Sequence, residues 1–300
     1  MTKKMYVITG PTASGKSALA VQLAQQLGTE IISADSRQIY KGIPIVTAMP
    51  TEEERALVRH HLIDRLPLDT YYSASQFEQD ALRIGRDVMN RYGSVVVCGG
   101  SMMYVDALCN GIDDLPTVPD DIRQGLMAEH SELGDTWLLE TLRELDPEYY
   151  SIVDKRNIKR VFHAVEIIRT AGKSYTQLRT GQKRERPFLI EKYMITMPRE
   201  QLFDRINRRV DAMIEAGLEE EARSVYPLRA LNSLNTVGLK ELFSMFEGEM
   251  DRHTAISRIK KNTRVYAKKQ MTWWARDREI IPLDSNVSPD AILSYHREGR

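Results

Sequence analysis

The sequence predicts an α/β protein: a parallel sheet with helices on both faces, interrupted by an all-helical insertion. Three observations carry this. Short apolar, β-leaning runs alternate with helical stretches over the first hundred residues, the pattern of a doubly covered parallel sheet. A glycine-bounded turn joins the first strand to the first helix. From about 119 to 180 the strand signals stop, and they resume with "FLIEKYMIT" at 188–196.

Strands are expected at 5–9, 30–34, 94–98, 188–196 and 279–283, with helices at 16–27, 51–59 and 74–91. Leu19, Ala20, Leu23, Ala24 and Leu27 recur at helical spacing behind the first strand. Pro116 and Pro119 punctuate the way into the helical stretch. The expected division is therefore a catalytic core at 1–115 and 185–300, with a C-terminal helical region, and a helical insertion domain at 116–184. No internal repeat or low-complexity tract is present.

Bulk properties narrow the class. A hydrophobic content of 42% over 300 residues suffices for a core. No apolar run reaches the roughly 18 residues of a membrane helix. The N-terminal "MTKKMYVITG" enters its first strand at once, which leaves no room for a signal peptide. Cys98 and Cys109 are the only cysteines and lack metal-type spacing, so a reduced cytoplasm is expected. The zero net charge conceals an asymmetry. Acidic side chains crowd residues 111–150, which the bland reading makes a solvated face. Basic ones crowd 251–278, where they interleave with Tyr266, Trp273 and Trp274. That second mixture suits a phosphate backbone with stacking platforms, and equally an amphipathic helix with core aromatics.

The chemistry starts in "YVITGPTASGKSALAVQLA" at 6–24. Gly10, four residues, then Gly15-Lys16-Ser17, set between strand and helix, form a phosphate-cradling loop. Backbone N–H groups of residues 12–17 and the helix start favour an anion. Lys16 adds a full charge, and the Ser17 hydroxyl can ligate Mg²⁺. The pattern specifies a polyphosphate without specifying which, ATP or GTP being the common cargo. The second strand, "EIISADSRQIY", ends at Asp35 beside this loop, where ligands of such sheets gather. Asp35 can ligate metal, accept a proton or bind a hydroxyl, or simply make a turn. The third, "SVVVCGGSMMY", ends in Cys98-Gly99-Gly100-Ser101. The acid that organises water in NTP-hydrolysing machines is missing there, so small-molecule kinases and other diphosphate chemistries stay open.

Taken together the motifs resemble the tRNA dimethylallyltransferases, also called tRNA isopentenyltransferases, nearly end to end. "GPTASGKS", "DSRQIYKG", "HHLID" at 60–64, "YSASQF" at 72–77, "MPREQLFDRINRRVDAMIEAGLEEE" at 197–221 and "TRVYAKKQMTWW" at 263–274 occur in the expected order. The resemblance implies a nucleotide-kinase-like core that transfers a five-carbon allyl group from dimethylallyl diphosphate. The acceptor is the exocyclic amine of the adenosine just 3′ of the anticodon in a tRNA stem-loop. It implies that Gly10, Pro11, Thr12, Ala13, Ser14, Gly15, Lys16 and Ser17, joined by Arg209, hold the diphosphate, with Mg²⁺ at Ser17. It implies Asp35 as the catalytic base and Ser101 as a catalytic hydroxyl standing where the family has threonine. RNA contacts carried over are Asp35, Ser36, Arg37, Gln38, Ser101, Arg123, Lys159, Arg160, Val161, Phe162 and His163. A monomer without membrane association is expected.

Two departures stand out. Met102 replaces a glycine of the family's Gly-Gly-Thr-Gly, and His163 replaces an arginine in "RNIKRVFHAVE". A titrating histidine grips phosphate less constantly than arginine. Rival readings are a small-molecule kinase whose lid is "KRNIKR" at 155–160, an adenylate isopentenyltransferase acting on a free nucleotide, and a non-catalytic RNA-binding scaffold. The intact Lys16, Ser17 and Asp35 argue against the scaffold. The adjacent His60 and His61 point apart on a strand and so do not suggest a metal site. The 13 methionines are core filler.

Overall fold

The computed structural model describes residues 3–113 and 115–294. Six strands are all parallel: β1 (Lys4–Thr9), β2 (Ile31–Ser33), β3 (His60–His61), β4 (Ser94–Cys98), β5 (Leu189–Thr196) and β6 (Ile280–Asp284). Their order is β3-β2-β4-β1-β5-β6. The helices are α1 (Lys16–Leu27), α2 (Glu52–Leu57), α3 (Ala74–Tyr92), α4 (Met102–Asn110), α5 (Asp120–Leu145), α6 (Pro147–Ile152), α7 (Ile158–Ala171), α8 (Tyr175–Leu178), α9 (Arg199–Glu215), α10 (Leu218–Val225), α11 (Leu239–Phe246), α12 (Arg252–Trp274) and α13 (Pro289–Ser294). Among the described residues no helix is long and apolar enough to cross a membrane.

The strands read as near-continuous apolar runs because both faces are covered. The side-chain period of two sorts them. Met5, Val7, Val95 and Val97 enter one core with Phe77, Ile84, Leu242 and Trp274. Tyr6, Ile8, Val96 and Ile195 enter the other, beneath Leu19, Leu23 and Ile292. Helix α3 is stopped at both ends by local chemistry. A capping box of Ser73 and Gln76 opens it, and Gly93 in the left-handed region closes it.

The expected strands all form. Strand β3 is an addition to them, since two residues carry no periodic signal. His60 and His61 do lie on it. Their rings bond Val58 O and the Glu30 carboxylate, and among the described residues no His/Cys/Asp/Glu cluster could hold a metal ion.

The chain divides into two compact units, 1–109 with 185–300, and 110–184. The second is wholly helical, built on Leu126, Leu138, Leu142, Val161 and Val165. Buried Asp146 accepts from the Tyr149 amide at 2.9 Å and the Thr176 amide at 2.7 Å, tying α6 to α8. The unit starts at 110, ahead of the prolines, because Asn110 O accepts the Arg184 amide at 2.7 Å and Asp113 accepts the Thr180 and Gly181 amides.

At the carboxyl end of β4, backbone packs on backbone. The Ser101 amide donates to Ala34 O at 3.2 Å, and the Thr9 hydroxyl donates to Gly99 O at 3.1 Å. A Cβ on Gly99 would sit 2.2 Å from the Ala34 carbonyl oxygen, which has no side-chain freedom to yield. Gly99→Ala is therefore expected to destabilise the protein by about 1–3 kcal/mol or more. Urea unfolding checks this, and an unchanged midpoint would contradict it.

Candidate active site

Strand β1 delivers the chain into the phosphate loop, and α1 takes it out. Ala13 adopts φ of 64°, a conformation rare for a residue with a side chain, and packs against the cluster of Leu202, Ile206 and Ala267. The expected cradle of amides from 12 to 17 is narrower than its sequence range. The Thr12 amide donates to Gln270 Oε1 at 2.9 Å, and the Ser14 amide donates to Pro11 O at 3.2 Å. The amides of Ala13, Gly15, Lys16 and Ser17 make no hydrogen bond among the described residues. Four donors thus converge at the positive end of α1.

Lys16 is half-buried, and desolvation pulls its ammonium below the ordinary lysine value. Its Nζ donates to Pro11 O at 3.3 Å. Arg209 on α9 is likewise desolvated, and burial lowers it as well. Among the described residues neither cation forms an ion pair with a carboxylate. One turn earlier on α9, the Arg205 guanidinium lies 3.3 Å from where a Gly15 Cβ would stand. These groups line a hollow of about 660 Å³ together with Arg208. It adjoins a cavity of about 420 Å³, with which it shares Lys16, Ser17 and Arg209.

Asp35 lines that cavity from the end of β2. Its Oδ1 accepts the Arg37 amide at 2.8 Å and the Gln38 amide at 3.3 Å. The turn role and the functional role therefore coexist: Oδ1 fixes the carboxylate and Oδ2 is left for a ligand. Ser101 Oγ accepts the Ser36 amide at 2.8 Å, so its own proton remains to donate. Cys98 occupies the position of the missing acid, and burial pushes its thiol up to about 11, leaving it neutral. Ile206, Val210, Met213, Leu218, Val237 and Ile259 give the wall an apolar stretch, beside polar groups that include Arg37, His60, Asn235 and Lys240.

Other expected residues take separate places. Gln38 lines the cavity, but its amide is consumed within the fold, accepting from Ser33 Oγ at 2.9 Å and donating to the Thr47 and Ala48 carbonyls at 3.1 Å. Arg37 donates to Asn235 O at 3.3 Å. Arg123 and His163 meet in the helical unit on the buried Glu166 carboxylate, at 2.8 and 3.5 Å. Lys159, Arg160 and His163 are exposed and Phe162 is half-buried. Val161 is fully buried in that unit's core, so its side chain offers no contact surface. Met102 packs against the core of the first unit. The two tryptophans of α12 are packing residues: Trp273 Nε1 donates to Asp106 at 2.9 Å, and Trp274 is buried. Tyr266 is the aromatic that reaches the cavity.

Three participants are missing from the residues expected on sequence: Arg205, Gln270, and Glu221, whose carboxylate accepts the Ile45 and Val46 amides at 2.7 and 2.8 Å and shapes the cavity wall. For Gln270 a signal existed. Thr263, Tyr266 and Gln270 share one face of α12, and all three line the cavity.

The chain matches a family described as IPP transferase over residues 38–277. It is 51% identical to tRNA dimethylallyltransferase 2 of Parabacteroides distasonis, with 92% of each chain covered. It is 50% identical to tRNA dimethylallyltransferase 1 of Phocaeicola vulgatus, with 99% of each covered. Among solved structures, the tRNA isopentenylpyrophosphate transferase of Bacillus halodurans superimposes with a TM-score of 0.70 at 33% identity, covering 99% of this chain and 95% of that one. A eukaryotic dimethylallyltransferase acting on tRNA superimposes with 0.79 at 26% identity, covering 95% of this chain and 74% of that one. The chain belongs to the IPP transferase family, with the tRNA dimethylallyltransferases as its relatives.

Proposed function

We infer that this protein transfers the dimethylallyl group of dimethylallyl diphosphate to the exocyclic amine of the adenosine 3′-adjacent to the anticodon in tRNA. One observation carries the reading. Two adjoining cavities that share Lys16, Ser17 and Arg209 join free loop amides and two half-buried cations, which form no ion pair among the described residues, to an oriented carboxylate, beside a run of apolar side chains and with no water-activating acid after β4. Such a site fits a polyphosphate that departs rather than one that is hydrolysed.

In the reaction the adenine nitrogen forms a bond to the allylic carbon as the carbon–oxygen bond to diphosphate breaks. Lys16, Arg209 and the loop amides neutralise the charge growing on the departing group. The amine proton passes to Oδ2 of Asp35, which Oδ1 holds in place through the turn. Ser101 donates its free proton toward the acceptor. The apolar wall takes the five-carbon chain. The target base leaves its stack to reach the cavity.

Mg²⁺ would supply further charge neutralisation at the diphosphate. The donor set suits an ion that arrives with its substrate, since a hydroxyl at Ser17 and one carboxylate leave room for phosphate oxygens and water. On the RNA side, Arg123, Lys159, Arg160 and His163 of the helical unit and the basic α12 would hold phosphates.

Asp35→Asn keeps the shape and removes the base. The single-turnover transfer rate should fall by roughly 10²–10⁴, with tRNA affinity within a few fold. Transfer at the wild-type rate would reduce Asp35 to a turn residue. Replacing both Lys159 and Arg160 by alanine should weaken tRNA binding and flatten its salt dependence, by roughly 0.7–0.9 in slope for each phosphate that is no longer neutralised. Affinity for the diphosphate donor should not change. Equal salt slopes would remove these residues from the RNA surface, and a fall in donor affinity would recast the segment as a lid over phosphates.

A further inference from the structure

We propose that Gln270 is a positioning residue, a clamp that fixes the phosphate loop relative to the acceptor side of the cavity. The proposal rests on the diphosphate-transfer reading above. Gln270 is only 2% exposed, and both ends of its amide are used. Oε1 accepts the Thr12 amide at 2.9 Å, and Nε2 donates to Gly100 O at 2.9 Å. The partners dictate its orientation, because a backbone N–H can only donate and a carbonyl can only accept. No other side chain of this length supplies one donor and one acceptor so disposed.

The clamp closes a continuous path. Thr12 opens the loop that holds the leaving group. Gly100 precedes Ser101, whose Oγ accepts the Ser36 amide at 2.8 Å, and Ser36 follows Asp35. The segment carrying the diphosphate is thus tied through Gln270 to the segment carrying the base. Helix α12 makes the tie stiff: Trp274 is buried beyond it, Trp273 is bonded to Asp106, and Lys260 pairs with Asp211 at 2.6 Å. Gly100 is shaped for this amide, since a Cβ there would stand 2.4 Å from Gln270 Nε2. The clamp also takes the Thr12 amide out of the cradle, so the loop presents its donors from Ala13 onward. Small displacements between reacting groups are costly, on the order of 10²-fold for 1 Å. Gln270 would therefore govern rate through the placement of these two segments.

The test uses the full chain with dimethylallyl diphosphate and tRNA, in wild type, Gln270→Met, Gln270→Glu and Gly100→Ala. Gln270→Met removes both bonds at similar volume, and its single-turnover rate should fall roughly 10–100-fold while tRNA affinity stays within about 2-fold. Gln270→Glu keeps the acceptor and, when ionised, sets an oxygen against Gly100 O. Its deficit should shrink from about pH 8 to about pH 6, as the buried acid takes up a proton and donates again. Gly100→Ala strikes the same contact from the other side, and combining it with Gln270→Met should cost little beyond either alone. Should Gln270→Met fail to fold, Gly100→Ala and the pH profile of Gln270→Glu decide. Wild-type rates in the variants, with only a lowered melting temperature, would make Gln270 a brace of the fold and overturn the proposal. A wild type that transfers nothing would instead overturn the functional reading beneath it.

Discussion

Two half-buried cations that form no ion pair among the described residues are the constraint that organises this molecule. Lys16 and Arg209 are both partly withdrawn from water, which disfavours the charge of each, and the negative charge of Asp35 offsets this only in part. A fold meant only to be stable would pair them, as it pairs Lys192 with Asp277 at 2.6 Å and Glu30 with Arg91 at 2.9 Å. At the mouth of the sheet the pairing is left to a ligand. The four free amides at the start of α1 add to the same demand. What satisfies it must carry several negative charges on compact oxygens, which is what a diphosphate offers.

The surrounding architecture follows from keeping that charge in register with a base. Parallel strands bring the ends of β1, β2 and β4 to one edge, so the phosphate loop, Asp35 and Ser101 meet without any helix having to reach across. Glycines at 99 and 100 let backbone approach backbone there. Polar side chains then lock the loops: Asp35 through its turn, Gln38 on the Thr47 and Ala48 carbonyls, Glu221 on the Ile45 and Val46 amides, Gln270 between Thr12 and Gly100. Each uses up hydrogen-bonding groups that would otherwise compete for substrate.

The sheet, the phosphate loop and Asp35 are legible in the sequence because each rests on local pattern. A buried strand announces itself through residues such as Val95, Val96 and Val97, and a phosphate loop through glycine spacing. The contributions that stay hidden depend on partners far apart in the chain. Gln270 reaches Thr12, and Glu221 reaches Val46, over separations no periodicity records. The stretch 159–163 shows the same limit at single-residue scale. Its positions look alike as a string, yet the helix turns Val161 into the core and Lys159 and Arg160 outward. Trp273 and Trp274 are ambiguous as a string for a related reason, since composition does not say which face of α12 is covered.

The decisive question is whether the diphosphate is a leaving group. The direct measurement supplies dimethylallyl diphosphate labelled in its allyl carbons, together with tRNA lacking the modification, and follows label into nucleosides alongside release of diphosphate. Label is expected in an adenosine of the RNA, with one diphosphate freed for each allyl group transferred. Label confined to the intact donor, or appearing on a free nucleotide in preference to RNA, would contradict it.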